Sequence, residues 1–529
     1  MLSVNDGNGT DVSGSRRLKE FSVSYERKRG KAFSRNYNDM GIFHQADACE
    51  GMKRSSAIDR IQKNRLPYFS CENESRKVIL LILQGTLFPS SQGSDKRVFH
   101  ILEILTGLNH DVLVSFYSKS KPKQSRDDLQ LLNLLDVRFI QGSFKTTLRS
   151  VNSNYVEVLN KLQPDLVMMW LWFWDMKNVL PEVLVDVTRD TSPLSKIVIF
   201  TDDVHSKREQ QIAEQYKGGQ HYQHFKRRSI KMRKNELTAY QKADIVVGIS
   251  EADCKEIIAM DPSLQGKVFF VSFVQSPWDS SSERVDPSVV NPWIQRKNLA
   301  FVGNGENPTN VHAINWFIQE VAPELVKGIH GVQTFIIGYT FMRTHIHTLI
   351  HKLIYTLIHT HIFITGPGWD KFQQNSKNQD LLEKYLIFKG SLETNEMLQV
   401  LDSCKVFVSP IIASTGINTK NVLALSRGIP LVTTPAGSIG MCKKCDSVIV
   451  SNPLDPFGLT EEVTEKEMPL LVGRDVYDFT QKVKELYYEE DKWKRYSLNG
   501  MNHVHEWFGK EKATRQIDDI IRKLFSSSL

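Results

Sequence analysis

The residues with the clearest chemical potential form a short block in the second half of the sequence. Residues 414–420 read Ser-Thr-Gly-Ile-Asn-Thr-Lys and follow the run Val406-Phe-Val-Ser-Pro410, which has the length of a strand. A helical pattern begins directly after them. The first turn of a helix carries unpaired N–H groups and a partial positive charge, which suit a diphosphate. With its glycine, small hydroxyls and Lys420, the block predicts a phosphate site.

A second glycine position has the same potential. Gly303 and Asn304 follow the apolar run Asn298–Val302. The glycine leaves the backbone accessible to a phosphate, and this is the function that we expect of it. The alternative is that Gly303 only ends a strand, since glycine adopts positive φ without steric cost.

A histidine, His205, stands shortly beyond another apolar run, Lys196–Phe200, and two positions after the pair Asp202-Asp203. In an open α/β sheet such a strand end faces the ligand crevice, so His205 is a candidate for contact with a substrate. The alternative is a structural histidine. Trp170, Trp172 and Trp174 alternate along another predicted strand, where a core or crevice-wall position is favoured over stacking on a sugar.

These candidates are placed by an alternation of strand-length apolar runs and helical patterns. Val78–Leu83 leads through glycines into a helical pattern and then into Asp111–Phe116, which makes a βαβ unit. A stretch rich in Ser, Pro and Asp at 276–292 separates this series from a second one. The alternation predicts an α/β fold with two tandem Rossmann-like, doubly wound domains and a cleft between them.

Charge and hydropathy limit the classes of partner. Residues 1–77 hold 15 Lys/Arg and 10 Asp/Glu, so +5 of the net charge of +7 lies there. The rest is nearly neutral, which argues against nucleic acid as a partner. The apolar runs are far shorter than the ~18 residues of a membrane span, and the leader lacks the apolar core of a secretory signal. We expect a disordered leader and a cytoplasmic protein, with peripheral membrane contact left open.

Metal-ligating residues do not form a convincing site. The six cysteines are scattered, and Cys442-Lys-Lys-Cys445 is interpreted as two loop thiols, with a metal or redox pair as the alternative. Five histidines lie within 345–361, where His347 and His351 would share a helix face without an accompanying carboxylate. We therefore expect no metal and no cofactor.

The second half resembles the glycosyltransferase group 1 family, whose members have the GT-B fold. Three stretches carry the resemblance: Val406–Pro410, Gly416–Lys420 and Ala424–Thr434. Phe301-Val302-Gly303 is similar to the glycine turn that opens the family's second domain. Weaker marks in the first half are Gly93 with Arg97, Asp202 to His205, and Ala243-Asp244 with Ser250-Glu251. The resemblance covers about Lys77 to Leu524 and is densest in the second half.

The resemblance implies transfer of a sugar from a nucleotide-sugar co-substrate to an acceptor, with retention of configuration and without a metal. The departing diphosphate would help to deprotonate the acceptor, while the protein positions the reactants and neutralises charge. His205 and Lys420 are then the expected catalytic residues. The expected donor contacts are Gly303, Asn304, Thr415, Gly416, Ile417, Asn418, Thr419 and Asn421. Gly93, Arg97 and Asp202 are expected contacts for the acceptor or a phosphate.

The composition, the alternation of predicted elements and the resemblance together imply a division of the chain. We expect a disordered basic leader over 1–76, an acceptor domain over 77–285 and a nucleotide-sugar-binding domain over 286–505. A C-terminal helix over 506–529 is expected to pack back on the first domain.

One position departs from the family pattern. Leu423 stands where the family usually has a glutamate that binds the donor sugar or ribose. An alternative is therefore a non-catalytic binding or regulatory protein on a degenerate glycosyltransferase scaffold. A third interpretation is another nucleotide-sugar enzyme with paired Rossmann domains, such as an epimerase. The donor sugar and the acceptor do not follow from the sequence.

Overall fold

The structure is a computed structural model. It describes residues 76–83, 93–117, 132, 135–144, 153–170, 181–215, 217–219, 221–275, 292–305, 307–328, 334–339, 362–364, 369, 386–392, 394–414, 416–442 and 468–526. The predicted leader up to residue 75, the linker at 276–291, the histidine-rich stretch before Ile362, and Thr415 lie outside the described residues.

The first half of the described chain forms a sheet of seven parallel strands in the order β3-β2-β1-β4-β5-β6-β7. The strands are β1 Val78–Leu83, β2 Asp111–Tyr117, β3 Arg138–Phe144, β4 Leu166–Trp170, β5 Lys196–Phe200, β6 Ile245–Gly248 and β7 Val268–Phe270. Parallel strands are covered on both faces, which explains why β1 is apolar at every position and buried throughout.

The second half of the described chain forms a second parallel sheet, in the order β10-β11-β9-β8-β12-β13-β14. Its strands are β8 Lys297–Val302, β9 Thr334–Tyr339, β10 Ile362–Ile364, β11 Leu386–Leu392, β12 Cys404–Ser409, β13 Leu431–Thr433 and β14 Leu471–Val472. The α/β class and the parallel sheets predicted from the sequence are therefore confirmed.

Helices connect the strands and cover the sheets. In the first half they are α1 Gly93–Gly107, α2 Ser153–Leu162, α3 Pro181–Thr191, α4 His205–Gln215, α5 Tyr222–Lys242 and α6 Glu251–Met260. In the second half they are α7 Pro308–Trp316, α8 Ala322–Gly328, α9 Thr394–Ser403, α10 Thr419–Ser426, α11 Pro435–Ser438, α12 Val476–Tyr488, α13 Glu490–Phe508 and α14 Lys510–Ser526. A π-helical turn, Phe317–Val321, lies between α7 and α8.

The alternation of side chains along the first sheet divides its core into two layers. Ile79, Leu81 and Leu83 belong to one buried cluster, whereas their neighbours Val78, Leu80 and Ile82 belong to another. The C-terminal helix α14 contributes Ala513, Ile517, Ile520, Ile521 and Leu524 to the first of these clusters. The last helix of the chain therefore completes the core of the first sheet.

The structure corrects three details of the sequence prediction. The charged stretch from Lys207 to Lys242, whose pattern in the sequence predicts one helix, forms two helices, α4 and α5, separated at Gly218, whose φ is +84°. Strand β3 and the short strands β10 and β14 were not predicted. The sulfur of Cys442 takes part in a disulfide bond, so the prediction of an ordinary loop thiol is wrong for this residue.

Candidate functional site

The predicted site residues follow strands at the carboxyl edges of the two sheets. In doubly wound sheets, ligands bind at this edge, where the strand order reverses. In the second sheet the order reverses at β8 and β12, and Gly303 and residues 410–418 follow these strands directly. In the first sheet, Asp202 and His205 follow β5. Gly93 begins α1, and the loop before it lies outside the described residues.

Arg97 of α1 is fully buried at the edge of the first sheet. Its guanidinium donates hydrogen bonds to the carbonyls of Thr201, Gly248 and Val271 at 3.0, 3.3 and 3.1 Å, and to Asp202 Oδ1 at 2.8 Å. These bonds tie together the chain segments that follow β5, β6 and β7. The guanidinium is thus engaged inside the protein, so we replace the expected phosphate contact with a structural role for Arg97.

The carboxylate of Asp202 is also occupied by the protein. Arg97 donates to its Oδ1, and Trp170 Nε1 donates to its Oδ2 at 2.8 Å. Trp170 is itself buried and stacks on Phe200, with ring centroids 4.8 Å apart and planes 4° apart. The alternative of a sugar platform at Trp170 is therefore wrong, because the ring lies in the core.

His205 begins α4 and is 4% exposed. Its Nδ1 lies 3.6 Å from Oε1 of Glu236, a fully buried residue of α5. The same carboxylate accepts a hydrogen bond from the backbone N of Ser206 at 3.3 Å. The structure therefore brings His205 to a buried carboxylate between two helices, which agrees with the structural alternative.

Lys420 is the second residue of α10, and its position differs from that of Arg97. Its Nζ donates to Asn310 Oδ1 and lies 4.6 Å from the centroid of the Phe301 ring. No carboxylate of the described residues forms an ion pair with it. Burial lowers the pKa of Lys420 to about 7. An anion bound at Nζ would supply the missing charge and raise this pKa again.

Gly303 lies against the same asparagine. A Cβ at Gly303 would come within 2.8 Å of Asn310 Cγ and within 2.9 Å of the Phe301 ring, so glycine is needed here for close packing. The carbonyl of Asn304 accepts a hydrogen bond from Asn310 Nδ2 at 2.9 Å. Asn310 therefore connects Gly303 and Asn304 with Lys420.

The glycine loop before α10 is held by side-chain amides. Asn418 Nδ2 donates to the carbonyl of Gly437 at 3.2 Å and to Ser414 Oγ at 3.2 Å. Asn421 Nδ2 donates to the same carbonyl at 2.9 Å, and its buried Oδ1 has no hydrogen-bond partner within the described part of the chain. Both residues were predicted as donor contacts, and their amide N–H groups instead fix the loop to α11.

Other residues of this segment point inward. Ile417 is buried, Thr419 is half-buried, and Leu423 is 8% exposed. Leu423 belongs to the apolar core of the second sheet. A hydrophobic residue at the position of the family's glutamate is thus explained by packing, and this position offers no polar contact to a ligand.

The glycine loop of the second half meets the first half directly. The backbone N of Gly416 donates to Asp253 Oδ1 at 3.2 Å, and a Cβ at Gly416 would lie 2.7 Å from the carbonyl oxygen of Asp202. A Cβ at Gly440 would lie 2.7 Å from Cβ of Ser250. Both glycines have positive φ, +70° and +72°. The two edges approach each other this closely because these positions carry no side chain.

Asp253 is a residue of this contact that the sequence analysis missed. It is 3% exposed, and its Oδ2 accepts a hydrogen bond from Ser250 Oγ at 2.5 Å. Burial raises the pKa of Asp253 to about 7. The sequence signal was the spacing of Ser250 and Asp253, because a serine N-cap followed three residues later by an acidic residue resembles a capping box.

The predicted residues thus form two groups. Gly303, Asn304 and Lys420 are joined by Asn310, while Asp202 and Gly416 are in contact at the junction of the two halves. In the described part of the chain, no group of three or more His, Cys, Asp or Glu side chains could hold a metal ion. None of the helices described is long and apolar enough to cross a membrane.

Sequence comparison identifies one family model in the chain. Residues 341–488 match the model of the glycosyl transferases group 1. The match includes the glycine loop and α10. No curated protein sequence matches the chain.

Structure comparison extends the similarity to both sheets. Sucrose-phosphate synthase from Thermosynechococcus elongatus is 12% identical with a TM-score of 0.54, over 86% of this chain and 100% of that one. A glycosyltransferase from Rickettsia africae is 11% identical with a TM-score of 0.53, over 86% and 100%. Anabaena HepE in complex with UDP and glucose is 12% identical with a TM-score of 0.51, over 85% and 100%. The chain therefore shares the fold of these GT-B glycosyltransferases, and part of its second half matches the glycosyl transferases group 1 model.

Proposed function

We propose that this protein is a glycosyltransferase that moves a sugar from a nucleotide-sugar donor to an acceptor, with retention of configuration. The observation that carries the proposal is Lys420, a half-buried lysine at the start of α10 without a carboxylate partner among the described residues. A cation in this position gains stability when an anion joins it, since a buried charge is costly unless it is paired. A donor diphosphate is such an anion, and the first turn of α10 would add N–H groups to it.

The proposed donor site is formed around this lysine. Lys420 and the N–H groups of α10 hold the diphosphate, and the backbone at Gly303 lies beside it because Asn310 links both positions. The amide bonds of Asn418 and Asn421 to Gly437 fix the loop before the ligand arrives. A loop that is already ordered costs less conformational entropy on binding.

In the proposed reaction, the bond between the anomeric carbon and the diphosphate oxygen breaks while a bond to the acceptor oxygen forms on the same face. The acceptor proton passes to the departing diphosphate. Lys420 stabilises the negative charge that develops on the leaving group, and such preorganised charge stabilisation is a major contribution to catalysis. This chemistry needs neither a metal nor a protein nucleophile. His205, buried against Glu236, is assigned no proton transfer in it.

The second candidate function is a non-catalytic nucleotide-binding protein, which the core position of Leu423 favours. Both candidates use the same anion site, so binding alone does not separate them. The fold comparisons support the enzyme, because the solved structures named above include glycosyltransferases and one of them holds UDP and glucose.

A panel of nucleotide sugars tests the proposal. Purified protein is incubated with each donor in the presence of EDTA, and release of the nucleoside diphosphate is measured. We expect at least one donor to be hydrolysed slowly, and we expect Lys420→Ala to abolish this while Lys405→Ala leaves it unchanged. Lys405 is a matched control, since it is also largely buried in the second half but lies over the Trp293 ring, 3.7 Å from its centroid. Binding without turnover of any donor would favour the non-catalytic alternative.

A further inference from the structure

A segment of the first half concentrates positive charge. Residues 215–235 contain no Asp or Glu and seven basic residues, which are Lys217, Lys226, Arg227, Arg228, Lys231, Arg233 and Lys234. The whole chain carries a formal net charge of +7, so this run of 21 residues holds as much net positive charge as the entire protein. Although the net charge of residues 78–529 is close to zero, the positive charge within them is therefore strongly concentrated at 215–235.

The fold holds four of these seven cations, Lys226, Arg227, Lys231 and Lys234, on the outer side of a helical hairpin. In α5, Met232, Glu236, Ala239 and Tyr240 are buried. Ser229 Oγ donates to the carbonyl of Ser206 in α4 at 2.7 Å. Arg228 Nε lies 3.3 Å from Glu209 Oε2, also in α4. The helix is thus fixed on its inner side, and the side chains on its outer side face solvent.

The outer side carries Lys226, Arg227, Ile230, Lys231 and Lys234, which we call the basic face. Their spacings of three and four residues place them next to one another on the helix. No ion pair among the described residues involves Arg227, Lys231 or Lys234, whereas Lys207, Arg208 and Arg228 nearby are each paired with a carboxylate. Ile230, in the middle of this face, is 62% exposed.

We propose that the basic face is a docking surface for an anionic lipid bilayer. The long aliphatic parts of lysine and arginine lie along the interface while their charges reach the headgroups, and an exposed aliphatic side chain between them enters the acyl boundary. The face has no aromatic residue between 226 and 234, so it lacks the stacking platform that single-stranded nucleic acids use. Helices α4 and α5 together connect β5 to β6, and α4 begins at His205. The basic face on α5 therefore belongs to the connection that starts at the carboxyl edge of the first sheet.

The test is sedimentation of the full-length chain with vesicles of phosphatidylcholine containing about one third phosphatidylserine, compared with pure phosphatidylcholine. The test variant is Arg227→Glu, Lys231→Glu and Lys234→Glu together. The control variant is Lys327→Glu, Lys494→Glu and Arg522→Glu, which makes the same change of charge at exposed side chains of other helices. The leader is unchanged in all three proteins, so its charge cannot account for a difference.

We expect the parent and the control to sediment with the anionic vesicles and not with the neutral ones. The test variant should lose at least roughly a hundredfold in partition coefficient, since each basic residue near an anionic surface contributes about fivefold. Ile230→Ser should lose up to about tenfold. Equal losses in the test and control variants would overturn the proposal, as would equal binding of the parent to both vesicles. A nucleic-acid surface would be indicated instead by two results together. RNA would displace the parent from the vesicles, and Ile230→Ser would bind RNA as tightly as the parent does.

Discussion

A fully buried arginine and a half-buried lysine lie at the carboxyl edges of the two sheets, and their surroundings differ. Arg97 in the first half has four hydrogen bonds to three carbonyls and to the carboxylate of Asp202. Lys420 in the second half has one to the neutral amide of Asn310. Burial lowers the pKa of both groups, and for Lys420 it lowers the pKa to about 7.

This difference separates a cation that stabilises the protein from one that is available to a ligand. A buried charge whose partners are all within the protein contributes to the fold, and its removal leaves those partners unsatisfied. A buried charge with few partners is a cost that a ligand can offset. The same sequence resemblance predicted both Arg97 and Lys420 as site residues, and only their contacts in the structure distinguish the two.

The largest expected effect is on stability. Arg97→Met removes one hydrogen-bond donor from Asp202 and one from each of three carbonyls, so we expect the free energy of unfolding to fall by about 3–5 kcal/mol. Lys420→Met removes a half-buried charge without a carboxylate partner, so the free energy of unfolding should change by less than about 1 kcal/mol or increase. Urea denaturation of both variants measures this. Similar losses in the free energy of unfolding for the two variants would show that Arg97 and Lys420 do not differ in their contribution to stability.

The second effect is on ligand affinity. Lys420→Ala removes a charge-assisted contact of about 1.5–3 kcal/mol, which corresponds to roughly ten- to more than hundredfold weaker binding of a nucleotide sugar. Titration calorimetry with the donor found in the hydrolysis panel gives the dissociation constant, and Lys405→Ala is the control. An unchanged affinity in Lys420→Ala would place the phosphates elsewhere.

Asp253 is a buried acid at the junction of the two halves, and its surroundings differ from those of both cations. Its pKa in the folded protein is about 7 against an ordinary value of 3.8. A raised pKa contributes stability that is fully present below pH 3.8 and is lost as the pH rises through 7. Between these values the contribution to the free energy of unfolding should fall by about 1 kcal/mol per pH unit.

The check is urea denaturation of the parent and of Asp253→Asn at several pH values from 4 to 7. The free energy of unfolding of the parent, relative to that of Asp253→Asn, should decrease as the pH rises, since asparagine does not titrate. A constant difference over this range would show that the carboxyl group of Asp253 keeps an ordinary pKa.

The smallest effect is the pH dependence of donor binding. Lys420 binds an anion as a cation, so affinity for a nucleotide sugar should be highest below pH 7 and should fall by roughly tenfold between pH 6 and 9. A nucleotide sugar is the suitable probe, because its diphosphate is a diester without a titrating proton in this range. Lys420→Arg should bind with little dependence on pH, and a similar fall in that variant would assign the titration to another group.

The sequence predicted the strands that are buried on both faces, because continuous apolar runs such as Val78–Leu83 have few alternative structures. It did not predict the edge strands β3, β10 and β14, which are short or irregular in pattern. Among site residues, it selected the loop at Gly416 and the lysine at 420 from residue type and spacing. It could not show that Asp202 is satisfied by Trp170, or that Asp253 meets Gly416 across the junction, because these contacts join residues 32 and 163 positions apart.

The packing of α14 on the first sheet has a consequence for synthesis of the protein. The strands of that sheet end at Phe270, whereas the helix that covers part of its core begins at Lys510. At about 5–20 residues per second, the first half waits on the order of tens of seconds for this helix. During that time the apolar surface later covered by Ile517 and Ile521 is open, and the nascent chain offers a binding surface to chaperones until α14 leaves the ribosome.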